Sequence, residues 1–104
     1  MYRHPELHQN PEVIAMPRQK NTDRASIELG QHTDGRWMWA TSCCEDYKYR
    51  GYCCGAKWGN FAPTRDAALR CAVEEILAIT KHAVADWAAQ QLEHQQLDLF
   101  GGAA

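Results

Sequence analysis

The chain has 104 residues, 45% of them hydrophobic, and a formal net charge of −2. That length allows one small domain with a limited share of buried surface, and the slightly acidic balance argues against a general nucleic-acid binder, which would be strongly basic. No apolar run approaches the roughly 20 residues needed to span a bilayer, and the opening residues lack the apolar stretch of a secretion signal. A cytoplasmic protein with no membrane partner is expected.

In residues 1–23, Pro5, Pro11 and Pro17 rule out a continuous helix. Only Val13, Ile14, Ala15 and Met16 form an apolar run there, so the segment reads as a flexible N-terminal arm or an extended piece lying on the domain. The domain itself is expected over residues 24–94. Alternation begins at Ala25, with Ile27 and Leu29 on one side of a strand. Asp34-Gly35 marks a turn. In a second strand, residues 36–44, Trp37, Trp39, Thr41 and Cys43 share one face and Met38, Ala40, Ser42 and Cys44 the other. Glu45-Asp46 opens a connection to a third strand over residues 47–54. Together these make a three-stranded antiparallel β-meander, whose outer face only the arm could cover.

Lys57 to Pro63 reads as a loop, and Thr64 as a helix N-cap with Asp66 in the first turn. Leu69, Val73, Ile76, Leu77, Thr80, Val84, Trp87 and Ala88 then recur at three- and four-residue steps. With no Gly or Pro in residues 65–94, one long C-terminal α-helix of about 45 Å is expected. That is longer than a short sheet can cover, so either the helix breaks near Thr80-Lys81 or its second half projects and supports a homodimer or a partner. Glu74-Glu75 sits on the exposed side. The expected fold class is α+β, a β-meander packed against one long helix.

The strand beginning Gly35-Arg36-Trp37-Met38-Trp39, the Tyr/Cys/Gly-rich strand, the Trp58-Gly59-Asn60-Phe61 loop and the Thr64-to-Leu69 helix start resemble small proteins of phages, plasmids and other bacterial mobile elements. The resemblance covers about residues 26–80 and implies a β-β-β-α domain of mobile-element origin, with no activity attached.

Residues 95–104 read as a tail. Gln96, Leu97, Asp98, Leu99 and Phe100 resemble, at all five positions, the motif Gln-Leu-(Ser or Asp)-Leu-Phe that binds the bacterial sliding clamp, the beta subunit of DNA polymerase III. A chance match in a chain of this length is on the order of one in ten thousand. The resemblance implies a clamp-binding adaptor or inhibitor at the replication machinery. The plainer reading is a helix tail, since Leu92, Gln96 and Leu99 fall at i, i+4 and i+7 and could fold back on the domain.

The five cysteines, an odd count without an export signal, imply reduced thiols. Cys43, Cys44, Cys53 and Cys54 are the metal candidates, with a third or fourth ligand to come from His32, Cys71 or another copy of the chain. Adjacent cysteines on a strand point to opposite faces, so each pair offers one thiolate, and small buried hydrophobes are the expected role. No Gly-x-Ser-x-Gly, P-loop, HExxH or GxGxxG pattern is present, so no catalytic residue, enzyme activity or cofactor is expected, nor direct sequence-specific nucleic-acid recognition. Tyr47, Tyr49, Tyr52 and Trp58 form a possible second surface for a host replication or defence protein. The rival function is thus an anti-defence inhibitor, against a CRISPR or restriction complex, binding through the sheet face and helix.

Overall fold

A computed structural model describes Leu7, residues 9–17 and residues 23–101; of residues 96–101 it describes the backbone alone. The fold is α+β: five antiparallel strands and two helices. The strands are β1 (Glu12–Ala15), β2 (Arg24–Gln31), β3 (Trp37–Glu45), β4 (Lys48–Gly51) and β5 (Phe61–Ala62); the helices are α1 (Arg65–Ile79) and α2 (Ala83–Gly101). The sheet runs β1-β2-β3-β4, and β5 also pairs with β3.

The alternation in β2 and β3 sets the core as the sequence suggests. Ala25, Ile27 and Leu29 of β2 and Cys43 of β3 are buried against Ala68, Leu69, Ala72, Val73 and Ile76 of α1 and Val84, Trp87 and Ala88 of α2, with Trp37 and Trp39 packed at the border. Thr64 caps α1, its Oγ1 accepting from the Ala67 N–H at 3.1 Å.

Five features differ from the sequence-based picture, and each has a local cause. The apolar run of the N-terminal segment is an edge strand: β1 pairs with β2, Ile14 opposite Ile27, and Arg65 of α1 clasps Glu12 through two hydrogen bonds of 2.8 Å. Glu12 is held below the usual carboxylate range chiefly by that hydrogen bond. Both partners are substantially exposed, so the pair contributes at most about 1 kcal/mol.

The third strand is shorter than expected, Lys48–Gly51 rather than residues 47–54. Asp46 and Tyr47 have φ of 53° and 66° and form the tight turn between β3 and β4. Beyond Gly51 the chain leaves the ladder because the Cys54 N–H donates to Glu28 Oε1 at 2.9 Å. That detour covers the outer face of the sheet, which the sequence left to the arm alone. Met38, Ala40, Cys54 and Leu7 are buried there, with Tyr52, Ala56 and Phe61 packed beside them. Gly30 leaves room for Leu7, whose methyl groups would lie 3.1 Å from a Cβ at that position.

Four and five strands replace three because β3 is paired at both ends of one edge. β4 pairs with residues 42–45 and β5 with Trp37 and Met38, leaving Trp39 to Thr41 open between them.

The single long helix is replaced by two, with the break at Thr80-Lys81 that its excess length offered as one alternative. Thr80 adopts an extended backbone, φ −128° and ψ 162°, and its hydroxyl donates to the Ile76 carbonyl at 2.8 Å. Glu45, from the end of β3, accepts from the Lys81 and His82 N–H groups at 3.0 and 3.2 Å. A carboxylate distant in sequence thus satisfies the orphan donors at the start of α2, and α2 packs against α1 instead of projecting. The geometric premise for a dimer built on a projecting helix is therefore removed.

Finally, Glu75 is half-buried at the open stretch of β3 rather than solvated.

Candidate functional site

The open stretch of β3 is closed by one backbone hydrogen bond and by side chains. Tyr52 donates its N–H to the Thr41 carbonyl at 3.2 Å, and Asn60 Nδ2 donates to the Trp39 carbonyl at 3.3 Å. Across the gap, the Glu75 carboxylate on α1 accepts from Trp39 Nε1 (3.1 Å), Thr41 Oγ1 (2.9 Å) and the Tyr52 hydroxyl (2.8 and 2.9 Å to its two oxygens). Asn60 Nδ2 in turn donates to the Tyr52 oxygen at 2.7 Å. Burial, then the hydrogen bond to Glu75, pushes the Tyr52 hydroxyl well above the usual tyrosine range. Every donor is matched by an acceptor, and among the described residues no buried side-chain nitrogen or oxygen lacks a partner. The arrangement clamps α1 to the sheet edge. Sequence reading missed it, although an indole and a threonine on the helix-facing side of β3 already require a polar partner there.

Outside this knot the aromatics are presented to solvent. Tyr47 is 84% exposed, Tyr49 68% and Trp58 49%. Tyr52, grouped with them from the sequence, serves instead as a half-buried support, its ring 5.1 Å from that of Trp58. Lys57 Nζ lies 4.9 Å from the Trp58 ring centre. On the helix-facing side of the β3–β4 hairpin, Glu45, Lys48, Arg50 and Lys81 line a cleft of about 430 Å3 with Cys43 in its wall.

The cysteines are all free thiols. Cys43 is buried beneath the helices and Cys54 on the opposite face of the sheet. Among the described residues, no group of three or more His, Cys, Asp or Glu side chains is placed to hold a metal ion. Burial, reinforced by Glu28, pushes the Cys54 thiol up to about 12; burial, then Glu45, raises that of Cys43. With a thiol reagent under native conditions, exposed Cys53 is expected to react first, half-buried Cys44 and Cys71 more slowly, and Cys43 and Cys54 only on unfolding. Mass mapping of the labelled peptides checks the order, and early labelling of Cys54 would contradict it.

Gln96, Leu97, Asp98, Leu99 and Phe100 fall within the backbone of α2, and their side chains lie outside the described residues. In the part of α2 that precedes them, Val84, Trp87 and Ala88 are buried, Gln91, Leu92 and Gln95 half-buried, and Asp86, Gln90, Glu93 and His94 exposed, so one helix face is packed and its burial thins toward residue 95. Among the described residues no helix is long and apolar enough to cross a membrane. No protein-family model, curated protein or solved structure matches the chain.

Proposed function

We propose that this is a non-enzymatic protein of a bacterial mobile element that docks on the sliding clamp through Gln96, Leu97, Asp98, Leu99 and Phe100, as an adaptor or inhibitor at the replication machinery. The observation that carries the reading is the fit of all five residues to the clamp-binding form. The thinning of the packed face of α2, from buried Val84, Trp87 and Ala88 to half-buried Gln91, Leu92 and Gln95, supports it, since a thinly packed stretch of helix opens at low cost.

Docking as one unit requires the end of α2 to unwind. At about 100° per residue, Leu97 and Leu99 point to opposite sides of a helix, whereas an extended peptide can offer Leu97, Leu99 and Phe100 to one groove and the Gln96 amide to a polar subsite. Unwinding a terminal helical turn is inexpensive, because helical stability resides mostly in packed faces. The folded domain then either competes with polymerases for the clamp or gains a high local concentration at replication forks.

Deletion of residues 96–104 is expected to abolish capture of purified clamp while leaving the circular dichroism spectrum of the domain largely intact. Undiminished capture by the deletion variant would remove the proposal. The rival reading, an anti-defence inhibitor, draws on exposed Tyr47, Tyr49 and Trp58; it is favoured if the deletion variant keeps its biological effect in a defended host.

A further inference from the structure

We propose that the outer edge of the β3–β4 hairpin binds single-stranded DNA without sequence preference, Tyr47 and Tyr49 stacking on bases while Lys48 and Arg50 meet phosphates. The choice of DNA over RNA rests on the clamp reading; the surface itself does not.

Residues 47–50 read Tyr-Lys-Tyr-Arg, and every one of them is exposed. Lys48 and Arg50 alternate with Tyr49 along an extended strand, so the ring projects to one side and the two cations to the other. A single strand of nucleic acid has the same division, bases on one flank and phosphates on the other. From Tyr47 to Arg65 the chain contains Lys48, Arg50, Lys57 and Arg65 and no Asp or Glu, although its net charge is −2. Among the described residues neither Lys48 nor Arg50 has a carboxylate within ion-pair distance. Two acids, Glu45 and Asp46, line the same cleft as Lys48 and Arg50, and with Lys81 the cleft holds three cations to those two acids.

Two details point to use rather than incidental exposure. Tyr47 holds the left-handed backbone, φ 66°, that the two-residue hairpin turn requires, yet a tyrosine with its ring 84% exposed stands where glycine or asparagine would serve the turn better. Tyr49 is pre-ordered: its hydroxyl end passes over Gly51 and Ser42, so close that a Cβ on Gly51 would collide with it. An aromatic ring held in place but open on its outer side is a stacking platform. Protein partners also use exposed tyrosines, but an uninterrupted cationic run favours a polyanion.

The test uses the full chain and a fluorescent oligothymidylate of about 20 nucleotides, with an oligouridylate, a duplex and polyglutamate as competitors. With Lys48 and Arg50 engaged, affinity is expected to fall with a log–log salt slope of about −1.4, roughly 7-fold between about 50 and 200 mM salt. Tyr49→Ala should weaken binding by roughly 5- to 100-fold. Tyr47→Gly should also weaken it while leaving the melting temperature equal or higher, which a purely structural tyrosine would not do. The Leu99→Ala/Phe100→Ala variant should bind the oligonucleotide normally, so failure here and failure of the clamp reading are read separately. Absence of binding at the lower salt, indifference to the tyrosine substitutions, or tighter binding of duplex, oligouridylate or polyglutamate would each overturn the proposal.

Discussion

Replacing Glu75 by alanine is expected to lower the unfolding free energy by about 2–4 kcal/mol, since hydrogen bonds to a charged acceptor are among the stronger ones and each half-buried donor left behind carries a desolvation cost. Trp39 Nε1, Thr41 Oγ1 and the Tyr52 hydroxyl all lose their acceptor together. For a domain of this size the melting temperature should fall by roughly 10–25 °C, a large part of the ~5–15 kcal/mol that holds such a fold together. Glu75→Gln keeps one acceptor oxygen but turns an amide N–H toward a donor, so it should lie between wild type and alanine. Tyr52→Phe should change the alkaline limb of the stability profile. The folded protein holds the Tyr52 proton more tightly than the unfolded chain does. That contribution is complete below the ordinary tyrosine value near 10 and is lost as pH rises above it. Urea melts between pH about 9 and 12 should therefore be flatter for Tyr52→Phe than for wild type, against a background shared by both in which Cys54 loses its own contribution between the ordinary thiol range and about 12. Equal slopes would mean that Tyr52 does not share its proton with Glu75.

The second large effect is expected at the other end of the molecule. Changing Leu99 and Phe100 together to alanine should weaken clamp binding by at least about 100-fold, because two side chains each contribute roughly 1.5–3 kcal/mol when fully buried in a groove and each 1.4 kcal/mol is tenfold in affinity. The wild-type affinity itself should be modest. Ordering each residue of an unwound pentapeptide costs about 1–2 kcal/mol of backbone entropy, which offsets much of the apolar gain. A rapidly exchanging complex suits a tether that must coexist with other clamp users. The same double substitution should move the melting temperature little, if the clamp reading holds, since the buried residues among the described part of α2, Val84, Trp87 and Ala88, lie in its first two turns. A drop comparable to that of Glu75→Ala would instead place Leu99 and Phe100 in the protein's own core, as the helix-tail reading has it.

What the sequence conveyed well is what depends on near neighbours. The period-two pattern of β2 and β3 placed Ile27, Leu29 and Cys43 on the helix side. Thr64 announced its own helix, and the three- and four-residue spacing picked out Leu69, Val73, Ile76, Val84 and Trp87 as buried. What escaped depends on single hydrogen bonds between distant residues. Helix length pointed to a break near Thr80-Lys81 as one alternative, but not to its agent, Glu45, which β3 delivers to Lys81 and His82. Glu28 draws Cys54 across the sheet and shortens β4. Glu75 looks like half of an exposed acidic pair until the gap between β4 and β5 puts three donors around it. In the candidate sites, the exposure of Tyr47, Tyr49 and Trp58 matched their grouping, while Tyr52 left the group because its hydroxyl has an internal use.

Calorimetric titration of the intact chain into purified bacterial sliding clamp, repeated with excess free Gln-Leu-Asp-Leu-Phe peptide, addresses the functional account most directly. Saturable binding that the peptide displaces is the predicted result. Absence of binding, or binding that the peptide leaves untouched, would contradict it.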